Sequence, residues 1–179
     1  MNILKLLFLS VVLFSTPIIA QNYDIVIKGG HIIDPLNNID QVMDLAIKSG
    51  KIAAVKKNIP TAQTKKIVDA SGLIVSPGLI DMHTHNFYGT VHNRYLANSF
   101  QAVPPDGFTF RSGVTTVVDA GSPGWKNFDL YKSQVIEPSK TRVLAFLNIV
   151  GDGMSGGARE QNIDDMNPKT TAFVAKQNK

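Results

Sequence analysis

His83-Thr84-His85 is the segment of this sequence best suited to do chemistry. On a β-strand, residues i and i+2 project from one face. Both imidazoles would then aim the same way, a few ångströms apart. Two neutral imidazoles converging in this manner suit a divalent metal such as zinc. Asp81 lies on the same face one step earlier. The plainer reading is a pair of partly exposed histidines beside a loop. Asp119 and Asn148 close two other apolar runs. At the carboxyl ends of parallel strands, such residues face the mouth where ligands bind. Contact with substrate or with groups behind it is one role for them, and capping the following loop is the other. Gly151-Asp152-Gly153-Met154-Ser155-Gly156 matches G-x-G-x-x-G, which would cradle a nucleotide only if a helix opened on those glycines. Phe87, Tyr88, Trp125 and Phe128 either line a pocket rim or pack a loop onto the core.

The elements that must position these residues follow from the hydrophobic pattern. Residues 22–75 read as short strands: Tyr23–Lys28, His31–Asp34, Asp44–Lys48, Lys51–Val55, Lys66–Ala70 and Leu73–Val75. Gly29-Gly30 marks a turn, and Ser49-Gly50 and Ser71-Gly72 each carry a hairpin signature. Such strands suggest a small β-sandwich. After Pro77 the pattern changes. Gly78–His83, Gly113–Asp119 and Arg142–Val150 are apolar runs of the kind found in buried parallel strands. A polar, aromatic loop over residues 86–106 and a helix over Phe128–Lys140 separate them, and Pro168–Lys179 begins a further helix. Strands alternating with helices predict a parallel sheet, hence an α/β fold.

Composition narrows the function classes. The 179 residues include no cysteine, which excludes a disulfide scaffold, a cysteine zinc finger, an iron–sulfur protein and a thiol enzyme. The net charge of +4 is scattered in short pairs such as Lys56-Lys57, so no nucleic acid is implied as a partner. Lys5, the apolar run Leu6–Phe14 and the small residue Ala20 have the layout of a secretory signal peptide. An uncleaved anchor is the alternative, for which the run is short. Cleavage would leave no stable membrane anchor and an exported protein, periplasmic or secreted.

The residues from Ile74 to His85, Ile-Val-Ser-Pro-Gly-Leu-Ile-Asp-Met-His-Thr-His, resemble the first barrel strand of the amidohydrolase superfamily. Lys66–Gly72 is similar to the strand that ends the family's N-terminal β-sandwich, and Gly113–Gly121 to its second barrel strand. Ile136–Ser139 and Arg142–Ile149 resemble the dihydroorotase-like amidohydrolase/deacetylase branch. With residues 1–20 set aside as the signal peptide, the resemblance implies a small β-sandwich over 21–75 and the N-terminal portion of a (β/α)8 TIM barrel over 76–179. It implies one or two divalent metals, Zn2+ foremost, with His83 and His85 as the first ligands. It implies hydrolysis of a C–N amide bond by a metal-activated water, in a small molecule of the cyclic amide or N-acyl amino acid type, or an ester. The family's members are usually homo-oligomers. Its strand-four lysine, later histidines and strand-eight catalytic aspartate have no counterparts here. Lys176 and Lys179 come too early and lie on a helix-like stretch, and a barrel needs roughly 250 residues. The catalytic base is therefore expected beyond Lys179, and the chain alone is expected to be an inactive N-terminal fragment. True dihydroorotases follow the histidine pair with an arginine, whereas Asn86-Phe87 follows it here, which argues against dihydroorotate. The rival readings are a non-catalytic secreted protein that keeps a β-sandwich and a partial barrel, and a nucleotide-binding α/β protein resting on the glycine loop.

Overall fold

The computed structural model describes residues 23–88 and 102–179. The expected signal peptide lies outside them, as does much of the expected long loop. The chain divides into two compact units, Met1–Pro77 and Gly78–Lys179. Among the described residues no helix is long and apolar enough to cross a membrane.

The first unit is a single five-stranded mixed sheet. It comprises β1 (Tyr23–Asp34), β2 (Ile39–Lys48), β3 (Lys51–Lys56), β4 (Thr64–Asp69) and β5 (Ile74–Val75). The β2–β3 connection is the hairpin that Ser49-Gly50 signals, with φ of 51° and 71° at the two turn residues. Two other turn assignments are corrected. Gly29-Gly30 does not end a strand. β1 runs through it as a β-bulge, the register against β2 slipping between Ile27 and Gly30, and Gly29 takes the left-handed conformation at φ 65°. Ser71-Gly72 is a turn, closed by Leu73 N–H on the Ala70 carbonyl, but it does not reverse the chain. β4 and β5 both run parallel to β1, pairing Val26 with Ile67 and Ile32 with Val75. β1 therefore has partners along both edges. All five strands fall into one ladder, where the sequence suggested two facing layers. The core of this unit is small: Val26, Ala46 and Ile59.

Asp44 stitches the bulge in place. It is buried, and its carboxylate accepts from Gly29 N–H at 2.9 Å, from Ile59 N–H at 2.8 Å and from the Lys28 ammonium at 2.5 Å. Burial pushes this carboxyl up, but Lys28 and the two backbone donors outweigh it and hold it below the ordinary carboxylate range.

The second unit is built on a parallel sheet ordered β6 (Leu79–Thr84), β7 (Val114–Asp119) and β8 (Arg142–Ala145). Helix α1 (Phe128–Tyr131) continues as a wider π-helical segment to Ile136. It stops short of the expected Lys140: Glu137 keeps helical dihedrals, and Pro138 after it has no N–H to continue the ladder. Two further helices follow, α2 (Gly157–Glu160) and α3 (Pro168–Gln177). The third apolar run forms a strand only to Ala145. Beyond it, Asn148 and Val150 join by single bridges to Gly124 and Met166. The Asn148 side chain takes over local bonding, donating to the Gly121 carbonyl and accepting from Val150 N–H.

Phe87, Val117, Phe128, Tyr131, Val135 and Val143 form the core of this unit. Tyr131 is fully buried, edge-to-face with Phe87, and its hydroxyl has no hydrogen-bond partner. Burial, and then the charge of Asp119, push its phenol far up. The expectation of a buried strand fails for β6. Leu79, Ile80 and Met82 are 56, 63 and 67% exposed, and no β6 side chain joins the core of this unit among the described residues; β6 is also an edge strand, paired only with β7 there.

Candidate functional site

The histidine pair sits at the carboxyl end of β6. The register between β6 and β7 slips by one residue between Asp81 and Thr84, which places a bulge at Met82-His83. Bulges of this kind re-aim side chains and recur beside active sites. The His83 N–H is taken by the Asp81 carboxylate at 3.0 Å. Asp81 thus folds back on the backbone beside the pair. His83 is exposed and His85 partly buried. Their rings lie edge to face with centroids 5.4 Å apart.

Three residues hold His85, of which Ser122 is absent from the sequence reading. Its Nδ1 is 3.0 Å from Ser122 Oγ. Asn86, which follows it, is fully buried. The Asn86 side chain donates to the Val103 carbonyl and accepts from the Thr84 hydroxyl. Thr84 is also within bonding distance of the Val118 carbonyl. The backbone of His85 is tied as well, its carbonyl accepting from Val103 N–H. A strand-end aspartate followed within three residues by a serine was the one available signal, since that spacing favours local capping of a loop.

Asp119 caps that loop. It is fully buried at the end of β7, and one oxygen accepts from Asn86 N–H at 2.7 Å, the other from Ser122 N–H at 2.6 Å. Both residues it holds flank His85, one in sequence and one in space. Asn148 bonds only to backbone in its own neighbourhood. The glycine loop is likewise occupied with itself. The N–H groups of Gly151, Asp152, Gly153, Met154, Ser155 and Gly156 all donate within the protein, leaving none to cradle a phosphate. Gly153 is needed for packing: a Cβ on it would stand 2.1 Å from the Ser122 carbonyl oxygen. The aromatics follow suit. Phe87 and Phe128 are core residues with Tyr88 against them, and the Trp125 indole donates to the Asp165 carbonyl.

The fit to a divalent metal rests on the donors. Two imidazoles stand side by side, and His85 keeps Nε2 uncommitted among the described residues while Nδ1 is engaged. Paired imidazole nitrogens suit zinc, and an engaged second nitrogen is the usual company of a ligating histidine. Among the described residues no group of three or more His, Cys, Asp or Glu side chains converges, so the pair would make part of a site. Two clefts of about 480 and 570 Å3 run along β8 and α3, and His83 and His85 line neither.

Comparison with known proteins adds relatives to this geometry. No family model matches the chain. A deacetylase of Brucella anthropi is 34% identical over 128 residues, which is 71% of this chain and 30% of the relative. The crystal structure of a dihydroorotase is similar with a TM-score of 0.69 at 28% identity, over 86% of this chain and 39% of that one. The crystal structure of an adenine deaminase gives a TM-score of 0.70 at 28% identity, over 87% and 38%. The chain spans less than a third of the length of curated relatives such as the Brucella anthropi deacetylase.

Proposed function

We propose that this chain, which belongs to the amidohydrolase superfamily and matches the N-terminal part of its members, supplies the first two ligands of a divalent-metal site for hydrolysis of a C–N amide bond. The observation that carries the reading is the adjacency of His83 and His85 at the carboxyl end of a parallel strand, rings 5.4 Å apart. In this reading the chain forms the opening strands of a (β/α)8 barrel, preceded by the small β domain. His83 and His85 would hold the ion, Zn2+ foremost. A bound ion would supply Lewis-acid polarisation of the scissile carbonyl and acidify water. The remaining ligands and the proton-transferring base are residues that the described segments do not contain.

The substrate class is a small-molecule amide, cyclic or of the N-acyl amino acid type. The place after the histidine pair bears on this choice. Asn86 stands there, fully buried and bonded to Thr84 and Val103, where it offers a substrate carboxylate no exposed cation. That favours substrates other than dihydroorotate. An exported location is part of the proposal and rests on Lys5, the apolar run Leu6–Phe14 and Ala20.

Titration of the 179-residue chain with Co2+, followed by visible absorption, tests the metal reading. Binding that disappears in both His83→Ala and His85→Ala is expected. Binding that survives both substitutions, or its absence from the unsubstituted chain, would sink it. The hydrolase reading is tested on the complete gene product with N-acyl amino acids and cyclic amides, and fails if turnover persists in His83→Ala. Cell fractionation decides the location.

A further inference from the structure

We propose that Ser122 is a positioning residue for His85. Its Oγ accepts a hydrogen bond from Nδ1–H, selects that tautomer, and so presents Nε2 beside His83 as the coordinating nitrogen. The inference deepens the metal-site reading and rests on it for the ligand. The contact is 3.0 Å, and Ser122 is 5% exposed. A neutral imidazole carries one proton on either nitrogen, and the partner of one nitrogen decides what the other can do. A serine hydroxyl can accept as well as donate, and in the arrangement where Oγ accepts from Nδ1–H, Nε2 is left as the lone pair.

The backbone that carries the hydroxyl is held on both sides. Ser122 N–H is bonded to Asp119 Oδ1 at 2.6 Å, and the Ser122 carbonyl accepts from Met154 N–H at 3.0 Å. The other oxygen of Asp119 holds Asn86, one residue beyond His85. One buried carboxylate thus fixes both the backbone that carries the imidazole and the hydroxyl that meets it. His83 has a different support. The Asp81 carboxylate takes its backbone N–H, and its ring is exposed. The pair is therefore asymmetric, with His85 pre-oriented and His83 free to close onto an ion.

The test uses the 179-residue chain labelled with 15N-histidine, free of metal, at a pH where imidazoles are neutral. Long-range 1H–15N correlations are expected to show His85 predominantly as the Nδ1–H tautomer. A predominantly Nε2–H tautomer in the unsubstituted chain would overturn the proposal without any variant. Ser122→Ala should mix the tautomers and weaken Co2+ binding by roughly 10-fold, the lower end of what loss of a ligand's hydrogen-bond partner costs. Ser122→Thr, which keeps the hydroxyl, should restore both. A Ser122→Ala chain that matches the unsubstituted one in tautomer and in Co2+ affinity would also overturn it. If the chain binds no Co2+ while His85 is the Nδ1–H tautomer, the positioning role stands and the metal reading falls. If Co2+ binding needs His83 and His85 but ignores Ser122, the metal reading stands and the positioning role falls.

Discussion

Asp44 in the first unit and Asp119 in the second have the same task and different company. Each is a buried aspartate whose two oxygens gather backbone N–H groups from segments far apart in the chain. Asp44 also binds the Lys28 ammonium, which neutralises it locally. No cation pairs with Asp119 among the described residues. Burying a charge is expensive unless it is paired and hydrogen-bonded. The first unit meets both conditions, and its carboxylate closes a bulge and anchors Ile59. The second meets the hydrogen-bonding condition alone, beside the two histidines. Full compensation marks the scaffold, and the incomplete kind marks the end of the sheet where chemistry is proposed.

The largest break in this comparison should come from Asp119→Ala. It leaves the Asn86 and Ser122 N–H groups buried without an acceptor, at about 1–3 kcal/mol each. Chemical denaturation followed by amide exchange should show about 2–6 kcal/mol lost from the second unit. An unchanged midpoint would mean that water satisfies those donors. Asp44→Asn should cost the first unit less, about 1–3 kcal/mol, because one acceptor oxygen remains. It should also change the response to acid. The folded pKa of Asp44 lies below its unfolded value of about 3.9. The stability it contributes is therefore complete above that value and lost as pH falls through the lower folded one. Denaturation midpoints of the first unit between pH 2 and 6 should fall less steeply in Asp44→Asn, and a parallel slope would count against the assignment.

Gly29→Ala probes the bulge that Asp44 closes. A side chain at φ 65° costs about 1–2 kcal/mol, and the new Cβ would also press on Ser71 Oγ at 3.0 Å. A midpoint shift of that size is expected, and none would mean that the bulge relocates. The smallest effect belongs to the histidine itself. His83 is exposed, so His83→Ala should move the melting temperature by less than about 2 °C while abolishing Co2+ binding. A large loss of stability would make His83 part of the scaffold, on the side of Asp44 in the comparison.

What could be read in the sequence depended on how local the determinant was. The Ser49-Gly50 hairpin was legible because both turn residues need positive φ, a property of the residues themselves. The apolar runs Gly78–His83, Gly113–Asp119 and Arg142–Val150 pointed to the parallel β6–β7–β8 sheet for the same reason, although the last is a strand only to Ala145. Ser71-Gly72 has equally good turn chemistry, yet the strands it joins both pair with β1, a choice made by distant residues. The i, i+2 spacing of His83 and His85 foretold that they would meet. It could not foretell the bulge at Met82-His83, which depends on register against β7. Ser122 and Thr84 were silent because a serine or threonine in a loop has no signature until a partner arrives from another strand.

The shared carboxylate at the end of β7 also makes two loops into one moving part. Asn86 N–H and Ser122 N–H end on the same side chain. If the Asp119 side chain swings away, both bonds break in one event. The two amides therefore have no separate clocks: their exchange with solvent should slow and quicken together, as a single opening of the rim around His85.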